Sequence, residues 1–216
     1  MDSRVGPVGP PVKIGVVVDG VSEFASLAGL YSDLEALGCH QILKPTKADI
    51  QPYAPIAVIA KQCSPKVAQF LARGANTVLV LLDREQRNEC PGEFAQQIAG
   101  AIITRVGAGA QVEVVVKDRA YENWAIADLD ALRALPGRFT VSKATANAVE
   151  KNKADHVDAL VLLKRCAIDK SYDKVADSKA IMAQAKAHRI ASHSRSFRKF
   201  MRAVGCPVYS AQSRLP

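Results

Sequence analysis

The sequence predicts an α/β protein built on a parallel sheet, with flanking helices and a basic helical C-terminal segment. Three observations carry that expectation. The apolar, β-branched runs 12–18 (VKIGVVV) and 77–82 (TVLVLL) lack the polar alternation of a strand with one wet face, so they read as buried strands, and 111–117 (QVEVVVK) reads as a third strong strand. Segments of helical periodicity separate them, as βαβ crossovers require. Beyond Phe139 no strand run follows except a weak Val208-Tyr209.

Taken in order, residues 1–11 are rich in Gly and Pro and read as a disordered leader without the apolar core of a signal peptide. The first strand ends at Asp19-Gly20. Ser22 is a candidate N-cap for a helix whose apolar positions Phe24, Leu27, Leu30, Leu34 and Leu37 recur at helical spacing, and Gly38 stops it. Residues 40–43 form a short candidate strand, and 44–55, with three prolines, a loop. A helix is expected over 56–74, with a break before Pro65 as one option, since proline suits the first turn of a new helix. The second strong strand ends at Asp83, a helix spans 92–106, and 107–110 turn into the third strand. Residues 123–135 read as a helix stopped by Pro136-Gly137, followed by helices at 157–166, 175–188 and 194–204. The expected division is therefore an α/β domain over 12–140 and a helical basic extension over 141–216.

Charge follows the same division. The chain carries +8, yet residues 141–216 hold 15 Lys plus Arg against 6 Asp plus Glu, so the excess lies in the last third. A face of this kind suits a polyanion, although a merely solvated helix gives the same count. Arg195, Arg198, Lys199 and Arg202 share a helical face, with Arg189 and Lys174 upstream, and these are the candidate phosphate contacts. No motif for reading a groove accompanies them. The five cysteines are scattered and odd in number, which fits reduced thiols in a cytoplasmic protein. No run approaches a membrane span. Neither GxxxxGK[ST] nor GxGxxG occurs, so any ATP hydrolysis belongs to a partner.

The chemistry concentrates at the ends of the strong strands, where open parallel sheets place their sites. Asp19 and Glu23 follow the first, Asp83 and Glu85 the second, and Asp118 and Glu122 the third. Carboxylates gathered there repel one another unless a cation joins them, and hard oxygen donors favour Mg²⁺ or Mn²⁺. Such an ion stabilises phosphoryl transfer.

VVVDGVSEF and VLVLLDREQ resemble the two acidic motifs of toprim domains, found in topoisomerases, primases and the nucleases that accompany overcoming-lysogenization-defect ATPases. The nearer likeness is to a toprim-like bacterial family of phage-defence loci, which adds a Glu-x-Trp segment like Glu122-Asn123-Trp124 and a Tyr-x-Lys element like Tyr172-Asp173-Lys174. Two positions depart from that pattern: Asp19 stands for Glu and Glu85 for Asp. The resemblance implies a toprim-like fold and a Mg²⁺- or Mn²⁺-dependent nuclease with an ATPase partner. It also implies catalytic roles for Asp19, Glu23, Asp83 and Glu85, and metal ligation by Asp19, Asp83, Glu85 and Glu122. The two departures keep open a degenerate module that binds nucleic acid or an ATPase without cutting. A receiver-like sheet is a third option, with Lys117 supplying the lysine that such a site needs at a later strand end.

Overall fold

The computed structural model describes residues 12–211 except 86, 151 and 170, so the expected leader lies outside the described residues. The sheet is parallel throughout. Strand β1 (Lys13–Val18) lies at its centre, between β4 (Thr77–Asp83) on one side and two short strands, β2 (Gln41–Ile42) and β3 (Thr46–Lys47), on the other. Strand β5 (Val112–Lys117) pairs with β4 and completes five strands. β2 and β3 meet the start and the end of β1 respectively, so they act as one interrupted edge. β3 falls within the stretch expected to be loop, where the sequence shows no apolar run.

Helices cover both faces, and strand periodicity decides which residues face which layer. Val17, Val80, Leu82, Val114 and Val116 pack against α3 (Ile56–Ala72) and α4 (Pro91–Val106). Gly15 is required by this packing, because an added Cβ would lie 2.5 Å from the Phe70 ring. α3 runs unbroken through Pro65, against the break considered from sequence. Pro65 and Lys61, whose carbonyl loses its partner, both sit on the exposed side, where water replaces the missing bond.

The opposite face takes Val16, Val18, Leu79, Leu81 and Val115. It is covered by α1 (Val21–Ser26), a 3₁₀ turn (Leu27–Leu30), α2 (Tyr31–Ala36) and the helices that follow β5. Among these are α5 (Glu122–Ala127), α6 (Leu129–Arg133), α7 (Lys143–Val149), α8 (Ala159–Cys166), α9 (Ala176–Gln184), α10 (Ala187–His193) and α11 (Arg195–Ala203). The C-terminal helices share one apolar core with this face of the sheet: Ile181, Met182, Phe197, Phe200 and Met201 are buried with Leu79 and Leu81. Trp124 is fully buried at the centre, edge-on to Phe197 at 4.9 Å between ring centroids, and its indole N–H donates to Ser196 Oγ at 2.8 Å.

Several expected helices are subdivided. Gly20, not Ser22, is the N-cap of α1, and Ser22 is buried inside it. Gly38 ends α2 with a φ of 79°, as expected. The helix expected over 123–135 breaks at Asp128, which caps α6 by accepting the Ala131 N–H. The same carboxylate accepts the Lys186 N–H at 2.8 Å and thereby splits the helix expected over 175–188 into α9 and α10. One buried acid thus explains both breaks. Helix α7 was not expected, since its alanine-rich segment lacks an apolar stripe, and Val208-Tyr209 belongs to a 3₁₀ turn.

Candidate functional site

The carboxyl ends of β1, β4 and β5 converge on an acidic cluster closed around one lysine. Asp19, Glu23 and Asp83 each bring a carboxylate oxygen within 4.8 Å of the others. Asp83 and Lys117 are direct cross-strand partners in the β4–β5 register, so strand pairing itself sets them side by side. The Lys117 side chain is wholly buried. Its ammonium lies 3.0 Å from Asp19 Oδ1 and 3.0 Å from Asp83 Oδ1, and it donates a short hydrogen bond to Glu23 Oε1. The Tyr121 ring supports it from 5.7 Å, and the Tyr121 hydroxyl pairs with Ser26 Oγ at 2.9 Å.

Local backbone chemistry fixes the acids. Asp19 Oδ2 accepts the Asp83 N–H at 2.8 Å and so ties the end of β1 to the end of β4. Glu23, in the first turn of α1, folds back over Gly20, where any Cβ would overlap its carboxylate. Past the strands, Arg84 N–H donates to Lys117 O and Glu85 N–H to Arg119 O, with Glu85 and Arg119 both in the left-handed region.

Electrostatics make the cluster a strained charge balance. Burial raises the Asp83 carboxyl well above the usual carboxylate range; Lys117 opposes that rise, while Asp19 and Glu23 reinforce it. Burial likewise raises Glu23, against the pull of Lys117. Burial alone would lower Lys117, but the three surrounding carboxylates outweigh it and hold the ammonium well above the ordinary lysine value. Three acids around one base would leave an excess of negative charge were all of them ionised, which the raised Asp83 and Glu23 carboxyls resist, and Asp83 Oδ1 lies within ion-pair distance of the ammonium. The donor set therefore fits a hard divalent cation. The ammonium already stands among the three, as the resident counter-charge.

Two cavities flank Asp83. One, of about 170 Å³, is lined by Asp19, Asp83, Glu85, Arg87, Pro52 and Tyr53. The other, of about 260 Å³, joins Asp83 and Glu85 to Arg119, Glu122, Asn123 and Lys174. Of the acids singled out in the sequence, Asp19, Glu23 and Asp83 come together. Glu85 lies on the rim shared by both cavities, and Glu122 stands apart, buried and paired with Lys174 at 3.2 Å. Asp118 is paired with Arg84 at 3.0 Å.

The basic residues separate more widely. Arg189 is locked onto Asp128, itself 1% exposed, at 2.8 Å. Arg198 turns aside to Asn152 Oδ1 and the Ala191 carbonyl. Arg202 pairs with Glu113 on β5. Arg195 is exposed, and the Lys199 ammonium is lowered by partial burial first, then by the charges of Arg195 and Arg202. Lys117, which the sequence offered for the site only under the receiver-like option, stands at its centre. The signal available was its position: it ends an apolar strand on the same side as Val115, which buries it.

A domain of unknown function, DUF4276, matches residues 31–205, a span that includes Asp83, Glu85, Lys117 and Glu122 but begins after Asp19 and Glu23. Neither the curated proteins nor the solved structures yield a match. With most of its length under that match, the chain belongs to the DUF4276 family.

Proposed function

We propose that this protein is a divalent-metal-dependent phosphodiester-transfer enzyme acting on nucleic acid. The observation that carries the reading is the cluster of three carboxyl groups, against a single lysine, where the β1, β4 and β5 ends meet, opening onto cavities rimmed by Arg87, Arg119 and Lys174. Asp19 and Asp83, with Glu85 from the rim, would hold the metal, which when bound polarises a phosphodiester oxygen and offsets its developing charge. Lys117 keeps Asp19, Glu23 and Asp83 gathered despite their repulsion. Asp19, held by the Asp83 amide, either shares the metal or takes the general acid/base role. Arg119 and Lys174 at the rim would orient the phosphate backbone. The toprim resemblance adds a setting in bacterial phage defence, beside an ATPase partner.

One observation favours a second reading. The ammonium occupies the middle of the acidic cluster, as expected of a module that retains the fold and binds nucleic acid or an ATPase without cutting.

Calorimetric titration with Mn²⁺, run beside cleavage assays on supercoiled plasmid, single-stranded DNA and tRNA, separates the two. Metal-dependent cleavage should fall at least ~100-fold in Asp83→Ala, the scale of losing a key electrostatic group. Absence of both Mn²⁺ binding and cleavage in the wild type would leave the non-cleaving module.

A further inference from the structure

The smaller cavity beside the acidic cluster has an aromatic residue at its mouth that the cluster's own chemistry does not use. Tyr53 is 55% exposed and lines that cavity together with Asp19, Asp83 and Glu85. It occupies the third position of a turn closed by the Ala54 N–H to Gln51 O bond, following Pro52. Its φ of 59° is positive, as that position of a type II turn requires, and glycine is the ordinary choice there. A bulky aromatic held there is a backbone outlier, and it spreads the ring at the cavity mouth instead of burying it.

The ring is also held from behind. The Arg87 guanidinium lies between two aromatics, 4.6 Å from the Phe94 centroid and 5.7 Å from that of Tyr53. It donates to the Ala54 carbonyl at 2.8 Å and meets Glu89 at 3.6 Å, so the arginine is tied both to the turn and to the loop after β4. The phenol is thus a pre-ordered plane with a face open to solvent. At about 170 Å³ the cavity is smaller than pockets that enclose drug-sized ligands, roughly 300 Å³ and upward. It has room for a phosphate group and leaves a nucleobase outside, at the rim where Tyr53 stands.

We propose that Tyr53 is the stacking platform for a base of single-stranded nucleic acid whose neighbouring phosphate enters the cavity of Asp19, Asp83 and Glu85. The proposal rests on the reading that this cavity takes a phosphodiester. Stacking of this kind needs an unpaired base with a free face, so it selects single strands over duplex and tolerates any sequence.

The test measures binding of fluorescein-labelled oligothymidylate and of a DNA hairpin duplex to the full chain, with Ca²⁺ as an oxygen-seeking cation. Tyr53→Ala should weaken single-strand binding by about 5- to 150-fold, the range expected from losing one stacked base, and leave duplex binding unchanged. Tyr53→Phe should stay within about twofold of wild type, because stacking uses the ring and not the hydroxyl. Tyr53→Trp adds a readout that a purely structural role would not move: its exposed indole emission should be quenched by the oligonucleotide, against a buried Trp124 background. Equal single-strand affinity of wild type and Tyr53→Ala, or an equal loss for duplex, would overturn the assignment. In the first case retained cleavage would leave the phosphodiester reading standing. Conversely, Tyr53-dependent binding without cleavage would support the platform and count against the enzyme.

Discussion

Replacing Lys117 by methionine removes one charge and almost no volume from the centre of the molecule. With all groups ionised, three carboxylates face a single ammonium; the substitution leaves them facing only one another. Breaking a buried ion pair by deleting one partner costs about 3–5 kcal/mol, because the remaining charge stays buried without compensation. For a chain of this length each kcal/mol lowers Tm by about 2–4 °C, so a fall of about 6–20 °C is expected near neutral pH. The deficit must also depend on pH. Burial already holds Asp83 and Glu23 above the ordinary carboxylate range, and Lys117 is what opposes that rise. Without it their folded-state pKa values climb further. Between the unfolded and folded values the native state binds more protons, so stability falls as pH rises through that window. Thermal unfolding followed by circular dichroism should therefore show a large deficit near pH 8 and a small one near pH 5. Added Mn²⁺ should recover part of it in Lys117→Met if a divalent ion can take the ammonium's place. A deficit below ~1 kcal/mol at pH 8, or one identical at both pH values, would refute the argument. It would mean that Lys117 contributes packing against Tyr121 and not counter-charge.

Three further outcomes test the parts of the chain that the sequence assigned to function. Trp124→Ala should lose about 3–5 kcal/mol in urea denaturation, since the indole is fully buried against Phe197 and Phe200 and donates to Ser196; this would place the Glu-x-Trp segment in the core. Lys199→Ala should reduce the slope of log affinity against log salt by about one in a DNA-binding titration, as for one lost phosphate contact. Arg189→Ala should instead leave that slope unchanged and lower stability, because Arg189 answers the buried charge of Asp128.

The strands were legible because a parallel sheet covered on both faces leaves a run of apolar residues, and β1, β4 and β5 each supply one. β2 and β3 were harder to read: each is two residues long, and their place is set by pairing with β1, a non-local fact. Helix breaks at Asp128 and at Lys186 were illegible for the same reason. Asp128 reads as one more polar residue on an amphipathic helix until the fold brings the Lys186 amide and the Arg189 side chain to it. The basic face of α11 failed in part by the converse effect. Helical spacing puts Arg195, Arg198, Lys199 and Arg202 together, but neighbours at Asn152 and Glu113 draw two of them into pairs.

The acidic site shows how far such reasoning reaches. Asp19 and Asp83 could be found because the carboxyl ends of parallel strands are where side chains converge, and the strand ends were in view. Lys117 lay in view too, at the end of the last strand, where the alternation that turns Val115 inward turns it inward as well. What sequence spacing does not contain is the register. Asp83 stands opposite Lys117 only because β4 and β5 align Val78 with Val112, and a one-residue slip would send the ammonium to the other face. The register therefore decides which cation the cluster meets first. A protein that assembles its carboxylates on an internal ammonium carries a counter-charge of its own in that cluster. For such a protein, metal affinity and stability can be separated by one substitution, and Lys117 is where that separation is measured.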